Sequence, residues 1–207
     1  MVSKINIQQN RSRKMMLLLG AIFVLPMLIA WFVFSTVDDW GMTDTRNKGN
    51  LIRPAQPLQE FSLVAQDGSV FELEQMRKKW TLVYIGNGTC DKECESVIYK
   101  TRQVRLAQGK EMHRVRRVFV LNDLQLSDET KQYYSQAHPD LVLVDGNANQ
   151  LTGFLRQFEI GGKDASTAGR LYIVDPLGNL MMNYEPGFNA EWLLKDLRRL
   201  LHVSQIG

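Results

Sequence analysis

Residues 15–37 contain no charged side chain and consist mainly of Leu, Ile, Val, Phe, Met and Ala. A helix needs about 20 such residues to cross a hydrocarbon layer about 30 Å thick. The stretch therefore predicts a transmembrane helix over 15–37, in which Pro26 is tolerated as a kink. A cleaved signal peptide is the alternative, but its apolar core is shorter, roughly 7–15 residues, and ends at a small-x-small motif. Residues 34–38 offer no convincing motif of that kind, so we expect an uncleaved anchor.

Charged residues flank this stretch unevenly. Residues 1–14 carry four Lys and Arg residues and no acid, whereas Asp38 and Asp39 follow the stretch directly. Basic residues gather on the cytoplasmic side of membrane helices. We therefore expect residues 1–14 to be cytoplasmic and the rest of the chain to lie in the periplasm, anchored in a bacterial inner membrane. In that compartment a disulfide bond can form and persist.

The chain beyond the anchor has the composition of one soluble domain. Charged residues make up 23% and hydrophobic residues 44% of the sequence, as in ordinary globular proteins. Four of the 25 Lys and Arg residues precede the anchor, so the others nearly balance the 22 Asp and Glu residues. A nearly neutral domain argues against nucleic acid as a partner. The polar segment 38–57, with its glycines and prolines, predicts an irregular linker, and residues 58–207 form the predicted domain.

Strand and helix patterns alternate through this domain. Asp67-Gly68 between two apolar runs predicts a β-hairpin. Three runs rich in β-branched and aromatic residues predict buried strands, at residues 81–85, 117–121 and 141–144. Helical patterns follow these strands, and a second hairpin and a closing helix complete the order. The sequence thus predicts an α/β protein with a mainly parallel central sheet, an antiparallel edge hairpin and helices on both faces, as in a thioredoxin-like fold.

The two cysteines of the chain, Cys90 and Cys94, follow the apolar run that begins at Trp80. At the start of a helix, residues four apart lie about 6 Å apart on one face. This is within the Cα separation of about 4.4–6.8 Å that a disulfide requires. A helix N-terminus also favours the thiolate, which is both a nucleophile and a ligand for soft Cu(I). The pair therefore predicts thiol–disulfide exchange or metal binding, with a structural disulfide or an inactive pair as the alternatives.

Four segments of the domain resemble the Sco/SenC family of membrane-anchored, thioredoxin-fold proteins. They are residues 61–68, 80–86, 90–94 and 171–178, so the resemblance extends over nearly the whole domain. The three residues between the cysteines are the most specific feature, because thioredoxins have two. The resemblance implies a protein that helps to assemble the copper centre of cytochrome c oxidase, by delivering copper or by handling thiols. The implied partners are an oxidase subunit or other oxidase assembly factors.

The resemblance also implies the metal ligands. Members of the family bind copper through both cysteines and one histidine, so Cys90 and Cys94 are the candidate catalytic and metal-binding residues. The segment that corresponds to the histidine loop, residues 164–170, contains no histidine, and Thr167 or a neighbour occupies the place. Two thiolates alone can hold Cu(I), whereas Cu(II) relies more on imidazole nitrogen. We therefore expect a divergent member whose candidate metal is Cu(I).

Three histidines and two methionines are the remaining candidate copper ligands. His113, His138 and His202 are each expected at the surface. Met181 and Met182 are adjacent in a predicted strand, and we expect them to pack in the core.

Other functions stay open beside a thiol–disulfide oxidoreductase. The domain could be a non-catalytic module that docks on an oxidase subunit or another assembly factor. A thiol peroxidase would need a Thr-x-x-Cys turn, which the residues before Cys90 do not supply. Basic clusters at 114–117 and 198–199 could meet an acidic partner or lipid headgroups, although a solvated surface is the favoured interpretation.

Overall fold

The computed structural model describes residues 2–36, 47–86, 90–121, 128–204 and 206. They divide into two units, of which the first extends to Thr45 and the second begins at Arg46. The described residues of the first unit form one helix, α1 (Val2–Thr36), and its segment Met15–Phe32 is long and apolar enough to cross a membrane. The prediction of one candidate membrane helix is confirmed, although its last predicted position, Val37, lies outside the described residues.

The second unit is built on one eight-stranded sheet. Its strands are β1 (Asn50–Pro57), β2 (Ser62–Ala65), β3 (Val70–Glu72), β4 (Trp80–Gly86), β5 (Val115–Leu121), β6 (Leu141–Asp145), β7 (Leu171–Val174) and β8 (Asn179–Tyr184). Their order across the sheet is β1-β8-β7-β4-β5-β6-β2-β3. The central strands β4 and β5 are buried along almost their whole length, since both of their faces are covered.

The sheet is mixed, with fewer parallel pairings than the sequence predicts. β5 runs parallel to β4 and β6, whereas every other described pairing is antiparallel. The second hairpin, β7–β8, does not form an edge, because β7 pairs with β4 and β1 pairs with the outer side of β8. The α/β class is confirmed, and the prediction of an edge position for this hairpin is wrong.

The irregular linker predicted for 38–57 is wrong over its second half. Residues 50–57 form β1, and its cis Pro54 lies in an edge strand, where a missing N–H costs no ladder hydrogen bond. Just before β1, the backbone N–H groups of Lys48 and Gly49 donate to the buried carboxylate of Asp196 at 2.7 and 2.9 Å. These bonds explain why the chain is ordered here. The first part of the predicted linker, 38–46, lies outside the described residues.

Helices cover both faces of the sheet, as predicted. They are α2 (Leu73–Met76), α3 (Lys92–Leu106), α4 (Asp128–Ala137), α5 (Ala148–Arg156) and α6 (Ala190–Val203), with a 3-10 helix at Gly109–Arg114. One buried cluster lies under α3 and α6, and the other lies under α2 and α5 on the opposite face. Each cluster is made by residues of the second unit alone, so this unit has cores of its own.

A buried arginine fastens α3 to the sheet. Arg117 of β5 is 1% exposed, and its guanidinium donates to Thr101 Oγ1 at 3.1 Å, to Ile98 O at 2.5 Å and to Asp140 Oδ2 at 3.1 Å. Thr101 and Ile98 belong to α3, so these bonds fix the helix that begins beside the cysteines. Burial lowers the pKa of Arg117, while the charge of Asp140 opposes that shift.

Candidate functional site

The two cysteines lie at the junction between β4 and α3 and form a disulfide bond. β4 ends at Gly86, and residues 87–89 lie outside the described part of the chain. Asp91 is the N-cap of α3, so Cys94 is the third residue of the helix and Cys90 lies just before the cap. The Cα atoms of the pair are 5.1 Å apart. The expectation that both cysteines lie on one helical turn is therefore corrected for Cys90, whose φ of 33° is not helical.

Asp91 fixes the start of the helix directly beside the disulfide. Its side-chain oxygen accepts a hydrogen bond from the backbone N–H of Cys94 at 2.9 Å, and its carbonyl accepts from Glu95 N at 2.9 Å. Asp is among the residues that prefer this position, because its carboxylate pairs with an N–H that the helix leaves free. The aspartate one residue after the first cysteine is thus a sequence signal for the start of α3, and the sequence patterns discussed above did not include it.

The disulfide is largely covered by the protein. Cys90 is 8% exposed and Cys94 is 3% exposed, and both belong to the core cluster under α3 and α6. Acidic side chains of the first helical turn, Glu93 and Glu95, are exposed beside them. Lys92 of the same turn is also exposed, so the charged side chains of the first turn of α3 are two acids and one base.

Two tyrosines of this interior stay protonated at neutral pH. Burial raises the pKa of Tyr84 to about 12, and the charges of Asp91 and Glu93 contribute. Burial, followed by the charge of Glu95, raises the pKa of Tyr134 to about 12. Phe119 lies between the two rings, with centroids 5.5 Å from Tyr84 and 6.2 Å from Tyr134. The core that holds these two rings is thus aromatic and uncharged.

The loop before β7 reaches the same end of the sheet as the cysteines. Leu171, the first residue of β7, pairs with Tyr84 near the end of β4. Thr167 is exposed in this loop, where its hydroxyl donates to Asp164 O at 3.4 Å. Asp164 also accepts from the Ser166 hydroxyl and backbone N–H, at 2.7 and 2.8 Å. The loop is therefore an ordered turn without a histidine.

An ion pair between a buried arginine and an exposed glutamate holds the base of this loop. Arg170 is 6% exposed, and its guanidinium binds the Glu185 carboxylate at 2.7 Å and the Ile160 carbonyl at 3.1 Å. This role of Arg170 was not predictable, because nothing in the pattern around it separates it from a surface arginine.

The histidines lie away from the cysteines. His138 lies three residues before Leu141, which pairs with Arg117 near the start of β5. The cysteines follow Gly86, which pairs with Leu121 at the other end of β5. Burial lowers the pKa of His138, and the charge of Arg117 lowers it further. His138 is thus half-buried, contrary to the surface position that the sequence predicts.

His113 and His202 are exposed, as predicted. His113 lies in the 3-10 helix that leads into the start of β5, and His202 lies in the last turn of α6. Met182 is fully buried in the core and Met181 is half-buried, which agrees with a packing role. Within the described ranges, no three His, Cys, Asp or Glu side chains are grouped so as to hold a metal ion.

The fold and the cysteine pair define a thioredoxin-like protein with a disulfide at the turn from a central strand to a helix. The chain belongs to the family described as the transmembrane-like, thioredoxin-like, C-terminal domain, whose model matches residues 80–204.

Relatives and solved structures agree with the predicted resemblance to Sco proteins. An SCO2-like protein of Rickettsia felis is 23% identical over 103 residues, which is 49% of this chain and 50% of the relative. This match thus spans about half the length of that curated relative. The copper-bound structure of Arabidopsis thaliana ScoI has a TM-score of 0.59 at 19% identity, over 70% of this chain and 98% of that chain. Another similar structure is that of BsSco, which is described as a member of the Sco family of cytochrome c oxidase assembly proteins with a disulfide switch. Its TM-score is 0.57 at 14% identity, over 75% of this chain and 99% of that chain.

Proposed function

We propose that this chain is a membrane-anchored, Sco-like protein that assists cytochrome c oxidase assembly through Cys90 and Cys94, by thiol–disulfide exchange or by handling Cu(I). The observation that carries the proposal is the disulfide at the β4–α3 junction of a thioredoxin-like fold. Similar structures are described with copper bound and as oxidase assembly proteins, which supports the same role here. The proposed partners are an oxidase subunit or another assembly factor.

The exchange step can be written with a partner dithiol as the reductant. A partner thiolate attacks one sulfur of the Cys90–Cys94 disulfide and forms a mixed disulfide, while the other sulfur leaves as a thiolate and takes up a proton. The second partner thiol then attacks the mixed disulfide, so that the partner is oxidised and both cysteines of this chain are reduced. We expect the first attack at Cys90, because it is the more exposed of the two and precedes the helix.

The reduced pair has ligand chemistry that suits Cu(I) as a cargo. Two thiolates are soft ligands, which favour Cu(I) over harder ions. In the Sco family pattern the third ligand is a histidine in the loop that corresponds to residues 164–170, and this loop contains no histidine. The residues present therefore fit Cu(I) held by two sulfur atoms and do not fit an imidazole-dependent Cu(II) site.

The proposed location follows from the charges around α1. We propose that residues 1–14 are cytoplasmic, that residues 15–37 cross a bacterial inner membrane, and that residues 58–207 lie in the periplasm. An oxidising compartment agrees with the disulfide of the outer unit.

A second candidate function is a docking module without cysteine chemistry. The low exposure of both cysteines and the absence of a histidine from the loop at 164–170 favour it. Its partner would be the same oxidase subunit or assembly factor, bound through the surface of the fold.

Replacement of both cysteines separates the two functions. Cells that depend on this chain and carry Cys90→Ser/Cys94→Ser are expected to lose most assembled oxidase, measured as oxidase activity and copper content in isolated membranes. The control is Ser96→Ala on α3, which leaves both sulfur atoms in place. Variant abundance is followed by immunoblot, since an unfolded variant would be degraded. Normal oxidase levels with a stable double variant would favour the docking module.

A further inference from the structure

Five exposed basic residues lie on two neighbouring elements of the outer unit, the 3-10 helix and the second half of α6. These residues, which we call the basic end, are Lys110, His113, Arg198, Arg199 and His202. They lie up to 92 positions apart in sequence. A cavity of about 460 Å³ between these elements is lined in part by Lys110, Arg198 and His202.

Hydrogen bonds of Arg114 link the 3-10 helix to the end of α6 and the residues that follow it. Arg114, at the end of the 3-10 helix, binds the acid of that helix, Glu111, at 2.9 Å. The same guanidinium donates to three carbonyl groups at the end of the chain, at 2.8–3.0 Å, on Leu201, Ser204 and Ile206. Arg114 thus neutralises the acid and links the two elements that carry the basic residues.

The basic end carries more positive than negative charge, because Glu111, an acid that lines the same cavity, is already paired with Arg114. None of the described ion pairs includes Lys110, Arg198 or Arg199. The outer unit as a whole is nearly neutral, so this charge is a local concentration. Such a surface attracts anions over a distance of about 10 Å at moderate salt.

Exposed apolar side chains lie among these cations. Val203 at the end of α6 is 76% exposed, Ile206 is 50% exposed, and Met112 in the 3-10 helix is 40% exposed. Apolar residues ringed by Lys and Arg are typical of surfaces that lie in the headgroup region of a membrane. Exposed apolar side chains would contribute nothing to the binding of a small free anion.

The chain that leads from the candidate membrane helix arrives at the basic end. Asn47 accepts a hydrogen bond from Arg199 at 3.2 Å, and the next two residues are bound to Asp196 in the middle of α6. Ten residues, 37–46, separate Asn47 from the last residue of α1. Ten extended residues span at most about 35 Å. The basic end is therefore attached to the proposed anchor by a short length of chain.

We propose that the basic end binds the anionic lipid headgroups of the membrane that carries the anchor. Arg198, Arg199 and Lys110 contact lipid phosphates, while Val203, Ile206 and Met112 enter the headgroup layer. The cysteines lie at the opposite end of the β4 and β5 strands from the 3-10 helix, so this contact leaves them available. The inference is independent of cysteine chemistry.

Vesicle binding by the outer domain, residues 46–207, tests the proposal, because this unit has its own cores. The domain is sedimented with vesicles of phosphatidylcholine alone or with phosphatidylglycerol added. Binding is expected with phosphatidylglycerol only. The variant Lys110→Glu/Arg198→Glu/Arg199→Glu is expected to bind at least about tenfold more weakly, because each basic residue near an anionic surface contributes. The matched control is Lys78→Glu/Arg156→Glu/Lys163→Glu, which changes net charge equally at exposed positions elsewhere and should bind like the natural domain.

Three results would overturn the proposal. The first is the absence of binding to phosphatidylglycerol vesicles by the natural domain. The second is an equal loss of binding in the basic-end variant and the matched control, which would assign the effect to net charge. The third is release of the domain by inorganic phosphate when chloride of equal ionic strength leaves it bound, which would indicate a site for free phosphate. Thermal unfolding of each variant shows that it is folded during the measurement.

Discussion

Replacement of Thr167 by histidine is expected to strengthen the binding of Cu(II) to the reduced protein. Thr167 lies in the loop that meets the end of β4 beside the cysteines, and it is exposed, so an imidazole has room there. The change removes only one long hydrogen bond, at 3.4 Å. An added imidazole beside two thiolates suits Cu(II). We expect an increase in Cu(II) affinity of at least about tenfold, which corresponds to about 1.4 kcal/mol.

The measurement is a Cu(II) titration of the outer domain with freshly reduced thiols under anaerobic conditions, followed by the sulfur-to-copper charge-transfer absorption. The control is Lys163→His, which adds an imidazole at an exposed position earlier in the same loop. Equal gains from both variants would contradict the assignment of position 167, and so would a gain that persists after Cys90 and Cys94 are replaced by serine.

Replacement of Arg117 by methionine is expected to destabilise the outer domain by about 3 kcal/mol. Methionine retains the unbranched apolar stem of the side chain but leaves Thr101, the Ile98 carbonyl and Asp140 without the guanidinium that binds them. Asp140 keeps a longer contact of 3.5 Å with Arg105, so its charge is partly compensated. Urea unfolding of the oxidised domain measures the change in the free energy of unfolding.

The neighbouring Arg116 provides the matched control. It lies on the opposite face of β5, and its Nη1 atom is buried without a hydrogen-bond partner among the described atoms. Burial lowers its pKa. Arg116→Met should therefore change the free energy of unfolding by less than about 1 kcal/mol. If the two substitutions had equal effects, the hydrogen bonds of Arg117 would not be what fastens α3 to the sheet.

The central part of the fold could be predicted from local pattern. The run from Thr81 to Ile85 is apolar on both faces, which is typical of a strand covered on both sides, and β4 has this environment. The cysteines after it mark the place where a helical pattern follows the strand, and α3 begins there at Lys92.

The outer strands could not be predicted in the same way, because their partners are distant in sequence. β1 is mostly exposed and contains two prolines, so nothing local distinguishes it from a linker. Its order depends on Asp196 and on β8, both more than 120 positions away. The direction and position of the second hairpin in the sheet likewise depend on which strand it pairs with, a choice that hydrophobic pattern does not encode.

The identity of the two cysteines in the candidate site could be predicted from the sequence, but their conformation and burial could not. Two cysteines at helical spacing indicate a disulfide, and the structure has one. The conformation of Cys90 and the burial of both sulfur-bearing residues depend on the packing of α3 and α6, which spacing alone does not give. His138 lies just before the start of β6, at the end of the parallel strands opposite the cysteines. This location could be deduced only from the register of those strands, which the sequence does not show.

The most direct test of the cysteine pair is a Cu(I) titration of the reduced outer domain against a chromophoric competitor, with Cys90→Ser/Cys94→Ser measured alongside. We expect one Cu(I) per chain, and no binding by the double variant. Because two thiols that are open to a partner are also open to soft Cu(I), this result would support the pair as the functional site. A folded domain with two titratable thiols that takes up no Cu(I) would contradict it, as would uptake that survives both serine replacements.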